Sequence, residues 1–158
     1  MKPVRILFVC LGNICRSPLA EGVMRDLAHK AGHGHAISVD SAGIGAWHVG
    51  APPDQRSISV AKAHGIDVAA LRGRQVSTAD FAAFDLILGM DTSTVRDLSA
   101  LAPPAMAGKV HLFMRYATGQ AGDVPDPYYE AAEVFEALYQ MLEAGCLSLL
   151  ARLEDRAS

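Results

Sequence analysis

The chain has 158 residues, of which 51% are hydrophobic and 20% charged. That suits one globular domain, residues 1–158, and excludes a disordered chain. Fourteen Lys and Arg against 17 Asp and Glu give a net charge of −3, so no global positive field recruits nucleic acid or anionic lipid. The first apolar run, Ile6 to Leu11, is too short to span a bilayer and lacks the cleavage site of a signal peptide. Three cysteines are too few, and odd in number, for a disulfide framework. These features predict a cytoplasmic protein without membrane insertion.

Lys2 to Cys10 is a continuous apolar run rich in Val, Ile and Phe, the pattern of a strand buried on both faces. Gly12-Asn13 ends it. Ser17-Pro18 then predicts a helix start, with Ser17 as N-cap and Pro18 at the first helical position. Leu19, Val23 and Leu27, with Ala20, Met24 and Ala28, make its apolar stripe, and Gly32 and Gly34 close it. Ala36 to Asp40 predicts a second strand. A Gly- and Ala-rich loop follows to Pro53, then a helix to about His64. Phe84 to Met90 predicts a third strand, with Asp91 capping a helix from Thr92 to Leu101. Lys109 to Phe113 predicts the fourth, and a last helix runs from about Glu130 to Leu153, with Cys146 on its apolar face.

Strands alternating with helices imply an α/β fold: a parallel sheet with right-handed crossovers and helices on both faces. Ligands then bind outside the carboxyl ends of the strands. Cys10 ends the first strand, Ser41 follows the second and Asp91 follows the third, so all three are expected along one edge.

The segment Cys10-Leu11-Gly12-Asn13-Ile14-Cys15-Arg16-Ser17 sets a thiol and a guanidinium six positions apart, between a strand and a helix. A short loop feeding a helix N-terminus makes an anion nest of backbone N–H groups. Gly12 and Asn13 are residue types that tolerate the left-handed backbone such a nest requires. A thiol at its centre, beside Arg16, is favoured as the nucleophilic thiolate. Arg16 can grip two phosphate oxygens at once. No Walker loop is present. The pattern points to a cysteine attacking a bound phosphate.

With VCLGNICRSP near its start, then VDSAG, PPD, HGI, MDTSTVRDL and DPYY in order, the chain resembles the low-molecular-weight protein tyrosine phosphatases over nearly its whole length. The resemblance implies a three-layer sandwich with four parallel strands in the order 2-1-3-4. It implies hydrolysis of phosphotyrosine through a phosphocysteine intermediate, without metal or cofactor. By position it makes Cys10 the nucleophile, Arg16 the phosphate ligand and Asp126 the general acid and then base. Ser17 resembles the hydroxyl that hydrogen-bonds the thiolate. Asn13 resembles the residue that holds the loop backbone, with Ser41 supporting it. Leu11 and Ile14 are expected as the apolar floor, Gly12 and Cys15 as part of the cradle, and Trp47, Tyr128 and Tyr129 as aromatic walls. The other reading of Trp47 is an aromatic covering a surface seam.

Members of that family often carry a His where this chain has Leu71, so support for Asn13 is expected to be weaker or to come from elsewhere. Cys15 resembles the family's second loop cysteine, which can capture an oxidised Cys10 as a disulfide. His29, His33 and His35 lie close in sequence but read as a solvated helix end rather than a metal site. Arg72 and Arg74 read either as solvated charge or as an attraction for phosphopeptides. The implied partner is a tyrosine-phosphorylated protein, a tyrosine kinase included. Two rivals stand beside this reading. An arsenate reductase of the same fold needs further resolving cysteines, and none lies between Cys15 and Cys146. A non-catalytic phosphotyrosine-binding module needs neither thiolate nor general acid.

Overall fold

A computed structural model describes residues 1–157; Ser158, the last residue of the expected domain, lies outside the described residues. Four parallel strands, β1 (Val4–Cys10), β2 (Ile37–Gly43), β3 (Leu86–Gly89) and β4 (Val110–Leu112), lie in the order β2-β1-β3-β4. The central β1 pairs with both β2 and β3, in a register that sets Cys10 opposite Gly43.

Alternation along β1 builds the layers, because successive side chains of a strand point to opposite faces. Ile6, Phe8 and Cys10 enter one core with α1 (Arg16–Lys30), α5 (Phe113–Thr118) and α6 (Val134–Ala157). Leu7 and Val9 enter the other with Phe81 of α3 (Thr78–Ala83) and Leu98 of α4 (Thr92–Leu101). Helices thus cover both faces, as expected. The helix α2 (Gln55–Ala63) packs against α1 and α6. By length and composition α6 is apolar enough to cross a membrane. One face of it is nonetheless core: Phe135, Leu138, Tyr139, Leu142, Cys146, Leu149 and Leu153 are all buried.

Several boundaries differ from expectation. The strand β2 runs on to Gly43, so Ser41 lies inside it, and β4 stops at Leu112 because Phe113 begins α5. A 3-10 helix, Pro104–Lys109, and the six-residue α3 and α5 are too short to show helical periodicity. The last helix starts at Val134 rather than Glu130. Asp91 does cap α4, accepting the Thr94 N–H at 2.8 Å. Ser17 is not the N-cap of α1. That position belongs to Cys15, whose side chain makes no capping bond, and Ser17 lies inside the first turn with its hydroxyl committed elsewhere.

Candidate active site

The loop from Cys10 to Arg16 crosses the carboxyl end of β1 and is gripped from outside by its carbonyls. The Cys10 and Leu11 carbonyls accept the Ile44 and Gly45 N–H groups at 3.0 and 2.9 Å, and the Ile14 carbonyl accepts that of Asp54 at 2.8 Å. Ser57 Oγ donates to the Cys15 carbonyl at 3.2 Å. Among the described residues the backbone N–H groups of Leu11 to Cys15 have no acceptor in the chain, which leaves them for an anion.

Of the two residues expected in a left-handed conformation, only Asn13 adopts it, with φ 58°. Gly12 has an ordinary φ, and its missing side chain serves close packing instead: a Cβ there would sit 3.1 Å from the His48 ring. Gly43 has a similar role at the end of β2, where a Cβ would meet the Gly12 and Asn13 backbone at 3.0 to 3.1 Å.

Asn13 stays in its strained conformation because its whole amide is used. Its Nδ2 donates to Ser17 Oγ at 2.8 Å and to Ser41 Oγ at 3.0 Å, and its Oδ1 accepts the Arg74 N–H at 3.0 Å. Ser41 Oγ donates on to the buried Glu21 at 2.7 Å. Leu71, where a His was expected to help, packs against the core, and the Asn13 amide is saturated without it. Ser17 Oγ lies 3.0 Å from Cys10 Sγ. Because Ser17 Oγ accepts from Asn13, its own proton is available to the sulfur at 3.0 Å or to the Ala42 carbonyl at 3.4 Å.

Arg16 is among the largest fully buried side chains. Its Nη1 donates to Asp91 Oδ2 at 2.7 Å and to the Val124 carbonyl at 2.9 Å, and its Nη2 lies 3.7 Å from Asp126. Burial opposes its charge. Cys10, then the hydrogen bond and charge of Asp91, then Asp126 outweigh that and raise its pKa. Asp91 therefore has two tasks, one for each oxygen: capping α4 and holding Arg16.

A cleft of about 300 Å³ brings together Cys10, Leu11, Gly12, Ile14, Cys15 and Arg16 with Trp47, His48, Asp126, Tyr128 and Tyr129. Ile14 is floor, but Leu11, 46% exposed, is rim and not floor. Trp47, 71% exposed, stands on the cleft with its ring packed over Gly45. Tyr128 meets Tyr129 edge-on at 4.9 Å, with Tyr129 outermost. Asp126 is half-exposed, and its Oδ1 accepts the Tyr128 N–H at 3.1 Å.

Arg74 is not a phosphopeptide lure: it is tied to Asp40 and Asp80 at 3.0 Å each. His33 pairs with Glu154. Glu21, Arg56 and His48 carry no motif, and sequence reasoning missed them. Only Glu21 gave a signal, as a carboxylate in the apolar stretch of α1. Cys146 is fully buried, and burial pushes its thiol well above the usual range.

Cys10 and Cys15 are both free and both buried. Burial, followed by the negative charges of Asp54, Cys10 and Asp126, pushes the Cys15 thiol up to about 12. A raised pKa keeps the thiol protonated below that value, and only a thiolate alkylates readily. Iodoacetamide at neutral pH is therefore expected to spare Cys15, with its labelling rising only as the pH nears about 12. Peptide mapping by mass spectrometry reads this directly.

A buried arginine and a cysteine around one loop of free amides, at the edge of a doubly covered parallel sheet, define a class of oxyanion-binding site with a nucleophile at its centre. The family model for low molecular weight phosphotyrosine protein phosphatases matches residues 5–158. The low molecular weight protein-tyrosine-phosphatase YfkJ of Bacillus subtilis is 41% identical over 152 residues, 96% of each chain. Its crystal structure matches with a TM-score of 0.92, covering 100% of this chain and 99% of that one at 39% identity. The low molecular weight phosphotyrosine protein phosphatase of Schizosaccharomyces pombe is 46% identical, covering 89% of this chain and 91% of its own. Vibrio vulnificus Wzb, solved in complex with benzylphosphonate, matches with a TM-score of 0.83 at 34% identity, over 94% of this chain and 98% of its own. This chain belongs to the low molecular weight phosphotyrosine protein phosphatase family.

Proposed function

We propose that this chain hydrolyses phosphotyrosine in proteins by two in-line displacements at Cys10. The observation that carries the reading is the Cys10–Ser17–Asn13–Ser41–Glu21 chain of hydrogen bonds beneath a loop of free amides, with Arg16 alongside.

In the first displacement Cys10 Sγ attacks phosphorus. The S–P bond forms, the bond from phosphorus to the phenolic oxygen breaks, and Asp126 gives its proton to that oxygen. Loop amides and Arg16 hold the three equatorial oxygens, where charge accumulates in a loose transition state. In the second, Asp126, now a carboxylate, takes a proton from water as the water oxygen attacks phosphorus. The S–P bond breaks, Cys10 leaves as thiolate, and the Ser17 hydroxyl stabilises it. Inorganic phosphate is the product, and no metal or cofactor enters the balance.

The aromatic rim sets the substrate class. Trp47 and Tyr128 line the cleft that holds Cys10, and aromatic walls suit the flat ring of a phosphotyrosine. The implied partners are tyrosine-phosphorylated proteins, a tyrosine kinase bearing its own phosphotyrosine among them. The test is a pair of phosphopeptides that differ only in carrying phosphotyrosine or phosphoserine. Turnover of the first alone, unchanged by chelator and blocked by orthovanadate, is the expected result. Equal turnover of both overturns the aromatic-slot reading, and phosphotyrosine binding without turnover promotes the binding module.

A further inference from the structure

Asp126 sits in a stretch without helix or strand between α5 and α6. Among the described residues its carboxylate accepts one hydrogen bond, from the Tyr128 N–H two residues on, and its other oxygen lies 3.7 Å from Arg16 Nη2, too far for a hydrogen bond. Something outside the stretch must fix it, because general acid catalysis needs the proton donor within hydrogen-bond reach of the leaving oxygen. On the near side Val124 does this, with its N–H on the Met90 carbonyl and its carbonyl on Arg16. On the far side the Tyr128 ring leans toward that of His48 at 6.5 Å, and among the described residues the hydrogen bonds from outside the stretch come from Arg56.

Arg56 lies in the first turn of α2, and four of its five guanidinium N–H groups are in use. Nε and Nη2 donate to the two oxygens of Asp54 at 2.9 and 2.8 Å. Nη1 donates to the Glu130 carbonyl at 2.7 Å and Nη2 to the Tyr128 carbonyl at 2.9 Å. Its face lies 4.5 Å over the Phe135 ring at the start of α6. Asp54 is in turn joined to the anion loop, since its N–H donates to the Ile14 carbonyl. One side chain therefore links the loop that binds phosphate to the carbonyls on either side of Tyr129, just past Asp126. A planar fork suits this task, because it holds a carboxylate on one edge and two backbone carbonyls on the other.

We propose that Arg56 is a positioning residue for the general acid: it sets the distance between Asp126 and the phosphate held by the anion loop. This rests on Asp126 being the acid. The contrary reading is a partly buried ion pair of little consequence. The two readings differ in chemistry. A misplaced acid harms substrates whose leaving group needs a proton and spares those whose leaving group does not.

The test compares kcat/KM, which reports steps through phosphoenzyme formation, for phenyl phosphate and p-nitrophenyl phosphate. The wild type, Arg56→Gln, Arg56→Lys, Asp126→Asn and Arg56→Gln/Asp126→Asn are measured together, with inhibition by inorganic phosphate as the check that the anion loop is intact. Arg56→Gln is expected to lose about tenfold or more on phenyl phosphate, a fraction of the 10²–10⁴ that acid–base catalysis supplies, and far less on p-nitrophenyl phosphate. Arg56→Lys behaves alike, because an ammonium cannot span all three acceptors. In the double variant the Arg56 change adds nothing beyond Asp126→Asn. Equal losses on both esters, full activity in Arg56→Lys, or additive losses in the double variant overturn the proposal while leaving Asp126 as acid. If Asp126→Asn itself shows no dependence on the leaving group, the acid assignment fails and the role of Arg56 fails with it.

Discussion

Cys10→Ser abolishes turnover of aryl phosphates, by about 10⁵-fold or more, while phosphotyrosine binding survives. The loss follows from the nucleophile. A serine hydroxyl at this position has no base in contact with it: its partner is the Ser17 hydroxyl, and the Glu21 carboxylate at the end of the chain lies beyond the Asn13 amide, which does not relay a proton. A thiolate needs no such base. Binding survives because the cradle does not depend on sulfur. Its carbonyls are tied down by Ile44, Gly45, Asp54 and Ser57, and Arg16 is held by Asp91 and Val124. The smaller Oγ can still pair with Ser17, so the fold is unaffected. Initial rates give the first half of the prediction and calorimetry with a phosphotyrosine peptide the second. Rapid-quench mass spectrometry of the wild type adds a third reading, a phosphoryl group on the peptide that contains Cys10. Turnover in the serine variant above a hundredth of wild type would remove the thiolate from the mechanism.

What the sequence made legible divides by distance along the chain. Cys10, Asn13, Arg16 and Ser17 fall within eight residues, so strand, loop and helix geometry alone brings them together. The sheet was legible for a related reason. Each of β1 and β3 is buried on both faces, and a strand of that kind appears as an unbroken apolar run. Asp126 is different. It lies 110 positions beyond Arg16, in a stretch with no periodicity, and only the family resemblance of DPYY singled it out.

The residues that escaped notice are those whose role is a partnership across the fold. Arg56 looks like any solvated arginine near a helix start, and nothing in its neighbours shows that Tyr128 and Glu130 will present their carbonyls to it. Asp91 was legible as a helix cap because a cap is local. Its bond to Arg16 was not, being a contact between positions 75 apart. Ser17 misled in the opposite sense. Ser-Pro is a sound helix-start signal, but the hydroxyl that would cap α1 is better used against sulfur, and the helix begins two residues earlier without a side-chain cap. A local rule gave way where the chemistry needed the same atom.

Arg16→Lys is expected to reduce kcat/KM by about 10³-fold or more, the scale set by arginines that stabilise phosphoryl transfer, although charge is conserved. The guanidinium meets two protein acceptors through Nη1 while Nη2 stays near Asp126 and the cleft. One lysine ammonium must choose between Asp91 and the phosphoryl oxygens. The same substitution marks stability with a defined sign in pH. Burial would raise the Asp91 pKa, but the hydrogen bonds from Arg16 and Thr94 more than offset it, and the carboxyl is held below the usual carboxylate range. A depressed folded pKa contributes stability that is present above the unfolded value and lost as pH falls through the folded one. Loss of the Arg16 bond returns Asp91 toward its ordinary value. The variant is therefore less stable than wild type by about 2 kcal/mol at neutral pH, less than the 3–5 kcal/mol of a fully broken buried pair because the charge remains. That gap narrows as the pH falls below about 4, where carboxylates protonate. Urea melts across that range measure the gap, and rates with a phosphotyrosine peptide measure the loss of activity. A gap that stays constant with pH would show that Asp91 owes its ionisation to Thr94 alone, and a lysine variant within tenfold of wild type would show that charge, not the fork, is what the phosphate requires.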